Sequence, residues 1–180
     1  MKTLIIHPQD KSTDFLAPIY QNLEQKIVVR RDISDERLRH LIQEHDQIIM
    51  LGHGSPSGLF NVAKIGSTIF SINYSHVELL RDKRCIFIWC NADQFVRKHQ
   101  LKGLFTGMFI SEENELFCCR EGRAEEIEPS NRLFSEALGR CLLKYEDDYQ
   151  MVFEDVDYAY GELARENLVA AYNYSRWSII

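Results

Sequence analysis

Long apolar runs are absent from this 180-residue sequence. No stretch approaches the 18 or so consecutive apolar residues of a transmembrane helix, so we expect no membrane span. Basic residues are not in excess: 21 Lys and Arg against 27 Asp and Glu leave a net charge of −6, which argues against a nucleic-acid partner. Neither glycine-rich phosphate-binding pattern, Gly-x-x-x-x-Gly-Lys-Ser/Thr or Gly-x-Gly-x-x-Gly, occurs, and no organic cofactor is expected.

Paired cysteine motifs are missing as well. The five cysteines are an odd number and include no Cys-x-x-Cys pair, which fits reduced thiols better than a disulfide framework. The first apolar run is too short for a signal peptide, so we expect a cytoplasmic protein. No His-x-x-x-His spacing is present, and a zinc site built from His7, His53, Cys90 and Asp93 is therefore only a distant alternative to a protein without a metal.

Strand and helix patterns alternate along the chain, which is typical of a parallel sheet covered by helices. We predict a single α/β domain over residues 1–180, a three-layer sandwich with a mostly parallel sheet, helices on both faces and a small β-hairpin after the third strand. The predicted strands are residues 4–7, 27–29, 47–51, 85–89 and 104–110, with hairpin strands at 59–62 and 68–72. The predicted helices begin at a cap formed by Ser12 or Thr13, at the cap Ser34, and at Asn73 or Ser75. A further helix is predicted over 91–99, with Asn91 as its cap and Gly103 as its stop, and the others begin at Ser111, at the cap Ser130 and within 155–172.

Two of the predicted strands end in groups that are able to carry chemistry. Residues 48–54 (IIMLGHG) end in His53 and Gly54, and residues 85–91 (CIFIWCN) end in Cys90 and Asn91. If both strands are parallel neighbours, His53 and Cys90 emerge at the same edge of the sheet, where open α/β sheets bind ligands. An imidazole favours the thiolate of a nearby cysteine and later protonates a leaving group, and the Gly54 amide is suited to stabilise an oxyanion. The pattern indicates acyl transfer by a cysteine nucleophile.

The segment 53–60 (HGSPSGLF) resembles the histidine segment of caspase-like cysteine peptidases, the caspase-hemoglobinase fold that includes gingipain-like, legumain-like and separase-like enzymes. In that family a strand ends in His-Gly, a short turn ends in Gly, a hairpin follows, and the next helix and strand deliver the cysteine. The resemblance covers about the first 120 residues, by order of elements. It implies that His53 is the acid and base and that Cys90 is the nucleophile. The Gln-Ala-Cys pattern of caspases is not present around Cys90, so the resemblance is to a divergent member, active or inactive.

Further polar groups are expected near this edge. His7 and Asp10 follow the first strand, Asp93 lies close to Cys90 and is expected to raise the thiol pKa, and Glu112 follows the fifth strand. We group these four residues as candidate substrate-binding residues, with a peptide or protein as the substrate. Plainer interpretations exist for two of them: Asp10 as part of a turn, and Glu112 as a helix-start carboxylate.

Two questions remain open from the sequence. The alternative to a peptidase is a non-catalytic doubly wound module that binds a small molecule or a partner protein at the same edge. The aromatic C-terminal region, with Tyr158, Tyr160 and Trp177, is expected to be helix packing, and an exposed patch there is a candidate homodimer contact.

Overall fold

The computed structural model describes residues 1–61 and 69–180 and has an α/β architecture. Strands β1 to β9 are Thr3–Ile6, Lys26–Val29, Gln47–Leu51, Gly54–Ser55, Gly58–Phe60, Phe70–Ile72, Arg84–Ile88, Gly103–Thr106 and Trp177–Ile179. Helices α1 to α6 are Asp35–Glu44, Val77–Leu80, Ala92–His99, Ile127–Tyr145, Tyr149–Ala164 and Leu168–Tyr174. Short 3₁₀ helices are Lys11–Ile19, Tyr74–His76, Glu113–Cys118 and Ala124–Glu126.

In the described part of the chain, the main sheet has six strands in the order β2-β1-β3-β7-β8-β9. The first five are mutually parallel, and β9 is antiparallel to β8. Within the parallel part, the chain adds β2 on one side of β1 and β3 on the other, so the order reverses between β1 and β3. Ligands of open α/β sheets bind at such a switch point, outside the carboxyl ends of the strands.

Side chains alternate between the two faces along each strand and so divide the core into two layers, which confirms helices on both faces of the sheet. Ile5, Ile49 and Ile86 pack with the first 3₁₀ helix, α4 and α5. The residues that alternate with these along each strand point to the other face and pack with α1, α2 and α3. The central strands are buried on both sides, and this is why their sequences read as continuous apolar runs.

A small antiparallel sheet, β4-β5-β6, follows β3 and contains the predicted hairpin as the pair β5 and β6. The predicted hairpin turn, residues 64–67, and the neighbouring residues 62, 63 and 68 lie outside the described residues. Gly58 begins β5 with φ of +141°, and a Cβ there would lie 1.9 Å from the Ile72 carbonyl oxygen. Glycine is therefore required for β5 and β6 to approach each other.

Several predicted boundaries are wrong. The helix after Cys90 is Ala92–His99, so its predicted end at His99 is confirmed and its start differs by one residue; Gln100 follows it in the left-handed conformation with φ of 55° and donates its amide to the last turn. Gly103, the predicted stop, instead begins β8, and that strand ends at Thr106 rather than at residue 110. Glycine is needed at position 103 because a Cβ on that residue would lie 2.0 Å from the Cys85 carbonyl oxygen.

The C-terminal half also differs from expectation. Ser130 lies inside α4 and its hydroxyl is 2.5 Å from the Tyr160 hydroxyl, so it is a core residue rather than a helix cap. The single helix predicted within residues 155–172 is two helices, and Asn167 caps the second by accepting from the Ala170 amide. Tyr160 and Trp177 are buried as expected, whereas Tyr158 is exposed.

Candidate active site at the carboxyl edge of the sheet

His53 lies at the switch point, where the segments after β1 and β3 meet. Its Nε2 atom is 2.7 Å from the Ser12 hydroxyl oxygen, and that hydroxyl is 2.8 Å from Asp10 Oδ1. Asp10 Oδ2 is 3.9 Å from the same imidazole nitrogen. The three side chains therefore form a chain of hydrogen bonds, with the carboxylate at one end and the imidazole at the other.

The local sequence explains why Asp10 and Ser12 meet. Asp10 is extended and caps the 3₁₀ helix Lys11–Ile19 by accepting the Ser12 amide at 3.0 Å. The cap also places the Ser12 hydroxyl against the carboxylate. Asp10 is thus the turn residue that its position suggested, and it is also part of the His53 site.

The direction of these hydrogen bonds follows from the chemistry of the carboxylate. The Ser12 amide, and to a lesser degree the Ser12 hydroxyl, hold the Asp10 pKa below its ordinary value, so Asp10 is an ionised acceptor. The single hydroxyl proton of Ser12 goes to Asp10, and the Ser12 oxygen accepts from Nε2–H of His53. The Nδ1 atom is left as the lone-pair nitrogen, and it has no hydrogen bond within residues 1–61 and 69–180.

This arrangement differs from a Ser-His-Asp triad. In a triad the carboxylate and the hydroxyl contact opposite nitrogens of the imidazole, and the hydroxyl donates to the ring. Here both groups lie on the Nε2 side. Ser12 and Asp10 therefore orient the imidazole and set its tautomer, and Ser12 is not arranged as a nucleophile.

His7, a candidate substrate-binding residue, lies below this edge and is fully buried. Its Nδ1 is 3.0 Å from the Tyr20 hydroxyl and its Nε2 is 3.2 Å from the Thr13 hydroxyl. Burial lowers the pKa of His7 to about 4, with a smaller contribution from Arg30. His7 is a neutral core residue that ties β1 to the first 3₁₀ helix.

Cys90 follows β7 and is half-buried. Its Sγ is 3.6 Å from the Phe109 carbonyl oxygen and 3.8 Å from Glu115 Oε1. Burial, together with the nearby Glu115 carboxylate, raises the pKa of the thiol to about 11, although the Phe109 contact opposes the shift. The thiol is therefore protonated at neutral pH, and in the described part of the chain it hydrogen-bonds to these two groups and not to His53.

The backbone brings the His53 and Cys90 segments side by side. Strands β3 and β7 pair in parallel with Leu51 opposite Ile88, and the Gly52 amide donates to the Ile88 carbonyl at 3.0 Å. His53 and Cys90 each follow a paired position by two residues. The predicted parallel alignment of these strands is confirmed.

An aromatic contact links the first 3₁₀ helix, which carries Ser12, to the segment after β8. The Phe15 ring, three residues after Ser12, stacks on the Phe109 ring with centroids 6.4 Å apart. Phe109 is also the residue whose carbonyl oxygen contacts Cys90 Sγ.

Gly54 lies in β4, where the backbone passes close to the Trp89 indole. A Cβ on Gly54 would lie 2.2 Å from Trp89 Cδ1, and the indole Nε1–H donates to the Ser55 carbonyl oxygen at 3.1 Å. The absence of a side chain is thus explained by packing against Trp89. The oxyanion contact of the Gly54 amide remains a prediction.

The last two candidates lie on other segments of this end of the sheet. Asp93 is in the first turn of α3, and its buried Oδ1 has no hydrogen-bond partner among the described residues. Glu112 precedes the 3₁₀ helix Glu113–Cys118, and its amide donates to Glu115 Oε2 at 3.1 Å. Glu112 also lines a groove against α4.

Sequence reasoning missed the roles of Ser12 and Glu115. Ser12 was interpreted only as a helix cap, although an Asp-x-Ser spacing in the loop after a strand is a signal for a hydroxyl held against a carboxylate. Glu115 gave no local signal, because its contact with Cys90 spans 25 positions of the chain.

Within residues 1–61 and 69–180, no three or more His, Cys, Asp and Glu side chains are grouped so that they could hold a metal ion. Among the helices of those residues, none combines the length and the apolar character needed to cross a membrane. Comparison of the chain with protein-family models, with curated proteins and with solved structures finds no match.

Proposed function

We propose that the protein is a cysteine peptidase of the caspase-like type, in which Cys90 attacks an amide carbonyl and His53 handles the proton. The observation that carries the proposal is the register of β3 and β7, in which Leu51 is opposite Ile88. It aligns the segments that end in His53 and Cys90 at the edge where open α/β sheets bind ligands.

The order of elements along the chain supports the same proposal. After β3 come His53 and Gly54, a turn that ends in Gly58, the β5–β6 pair, α2, β7 and Cys90. This is the order on which the resemblance to caspase-like peptidases is based. The Asp10–Ser12 hydrogen bonds add an oriented imidazole with a lone pair on Nδ1.

The chemistry must start from a neutral thiol, because the Cys90 pKa is about 11. His53 Nδ1 takes the thiol proton as the sulfur attacks the substrate carbonyl carbon, and the carbonyl oxygen becomes an oxyanion beside the Gly54 amide. The imidazolium then gives its proton to the leaving amine as the C–N bond breaks, which leaves an acyl-enzyme. Water hydrolyses the thioester with His53 again as the base and regenerates the thiol.

The experiment is release of peptides from denatured casein by wild-type protein and by the variants Cys90→Ala and His53→Ala. The expected result is hydrolysis by wild type and a loss of at least 100-fold in each variant, since each removes a partner of the same step. Cys119→Ala is the matched control, because Cys119 is also half-buried but contacts the Leu168 carbonyl instead. Equal activity of wild type and Cys90→Ala would refute the proposal.

A non-catalytic binding module is the second candidate, and a specific observation favours it. The Cys90 thiol is engaged by Phe109 and Glu115, and the Glu115 carboxylate opposes its ionisation. If wild type releases no peptides, this candidate is supported, and it then predicts that Cys90 is alkylated by iodoacetamide no faster than buried Cys85, whose pKa burial raises to about 12.

A further inference from the structure

A groove of about 480 Å³ lies between the first 3₁₀ helix, the segment that begins the 3₁₀ helix Glu113–Cys118, and α4. Phe15, Pro18 and Ile127 give it an apolar lining. Its volume is within the usual range for a small-molecule or side-chain pocket. The apolar lining is suited to the methylene groups of a long side chain.

Carboxylates line the same groove. Glu128 has a counter-charge, since its Oε1 is 3.5 Å from the Arg132 guanidinium. Glu112 and Glu113 also line the groove, and within the described part of the chain neither is in an ion pair. The groove therefore has two uncompensated negative charges next to apolar surface, which favours a cationic ligand.

An independent observation at Asn131 points to a ligand that donates hydrogen bonds. Asn131 lines the groove and is only 7% exposed. Its Nδ2 donates to the Ser111 carbonyl oxygen at 3.0 Å, whereas its buried Oδ1 has no partner among the described residues. Buried amide oxygens are nearly always hydrogen-bonded. The unpaired Asn131 Oδ1 is therefore suited to accept a hydrogen bond from a ligand.

We propose that this groove binds the side chain of an arginine residue in a peptide. The aliphatic stem packs on Phe15, Pro18 and Ile127. The guanidinium, which has five N–H donors and no acceptor, is shared between the carboxylates of Glu112 and Glu113 and the free Oδ1 of Asn131.

The groove is connected to the proposed nucleophile by one short segment. Ser111 donates its amide and its hydroxyl to Glu115 Oε2, and Glu115 Oε1 contacts Cys90 Sγ. As a substrate subsite, the groove rests on the proposed peptidase function. Binding of the arginine side chain does not require that Cys90 be a nucleophile, and the two are tested separately.

The experiment is calorimetric titration of the Cys90→Ala variant with N-acetyl-arginine methylamide, which removes catalysis from the measurement. The matched ligand is the citrulline analogue, which keeps the shape but replaces the guanidinium by a neutral urea group. The matched variants are Glu112→Gln/Glu113→Gln in the groove and Glu121→Gln/Glu125→Gln outside it, which remove the same charge. Glu121 and Glu125 are exposed and do not line the groove.

The expected result is at least tenfold weaker binding of the citrulline analogue and of the groove variant, and less than a twofold change in the control variant. Equal affinity for the two ligands, an equal effect of the two double variants, or no binding would overturn the proposal. Arginine binding without peptide release by wild type would reject the peptidase and retain the groove. Peptide release without any preference for arginine would reject the arginine groove and retain the peptidase.

Discussion

Removal of the Ser12 hydroxyl should change which nitrogen of His53 carries the proton. In the structure Asp10 accepts the hydroxyl proton and Ser12 Oγ accepts from Nε2–H across 2.7 Å. In Ser12→Ala the imidazole loses that acceptor, and the remaining Asp10 Oδ2 is too far away at 3.9 Å to replace it with a good hydrogen bond. The preference for the Nε2–H tautomer should therefore weaken.

The size of the change follows from the hydrogen bond that is lost. A bond of this kind, polarised by an ionised carboxylate, contributes about 1–2 kcal/mol, and about 1.4 kcal/mol corresponds to a tenfold change in an equilibrium ratio. We expect the ratio of Nε2–H to Nδ1–H tautomer to fall by roughly tenfold in the variant.

The assay is ¹⁵N spectroscopy of the histidine rings in labelled protein at pH 8, with the His53 signals assigned by their absence in His53→Gln. Ser12→Thr is the matched control, because it keeps the hydroxyl and should keep the wild-type tautomer ratio. An Nδ1–H tautomer in wild type, or the same ratio in wild type and Ser12→Ala, would refute the reasoning. A hydrolysis assay on the same variants then relates the tautomer to kcat.

Three further predictions concern single groups. Burial lowers the His7 pKa from 6.5 to about 4, so the unfolded chain binds a proton that the folded chain excludes; stability should fall by about 3 kcal/mol between pH 6.5 and pH 4. In His7→Gln the free energy of unfolding, measured in urea, should lose this part of its pH dependence. The same pH dependence in wild type and variant would contradict the assignment to His7. Gly54→Ala should lower the free energy of unfolding by about 1–3 kcal/mol, seen as a lower Tm, because the alanine Cβ would lie 2.2 Å from Trp89 Cδ1. An unchanged Tm would show that the Trp89 side chain moves aside without a cost in stability. Glu115→Gln should speed alkylation of Cys90 several-fold at pH 8.5, measured by mass spectrometry, because the carboxylate raises the thiol pKa; an equal or slower rate would argue against that cause.

The strands that carry His53 and Cys90 could be predicted from the sequence because they are buried on both faces. Gln47–Leu51 was predicted with its observed bounds, and Arg84–Ile88 differs by one residue at each end. Ser34 was also predicted correctly as the cap of α1, and its hydroxyl oxygen accepts from the Arg37 amide. These features depend on a few neighbouring residues, which is why the pattern of a single sequence is enough to find them.

Other features could not be predicted because distant contacts override local preferences. Ser130 has the chemistry of a helix cap, but its contact with Tyr160 places it inside α4. Gly103 is typical of a helix stop, but the close approach of Cys85 makes it the first residue of β8. In both cases the partner is remote in the chain, so the residue type alone does not distinguish the two roles.

The sequence by itself determined the α/β architecture and the two strand ends, since apolar periodicity decides which segments are buried and where each buried segment ends. Only the tertiary structure decided what surrounds each group at that edge. Ser12 meets His53 across 41 positions, and Asn131 meets Ser111 across 20. The state of the His53 ring, the protonation of Cys90 and the charge of the groove depend on such distances, because hydrogen bonding, burial and nearby charge act through space rather than along the chain.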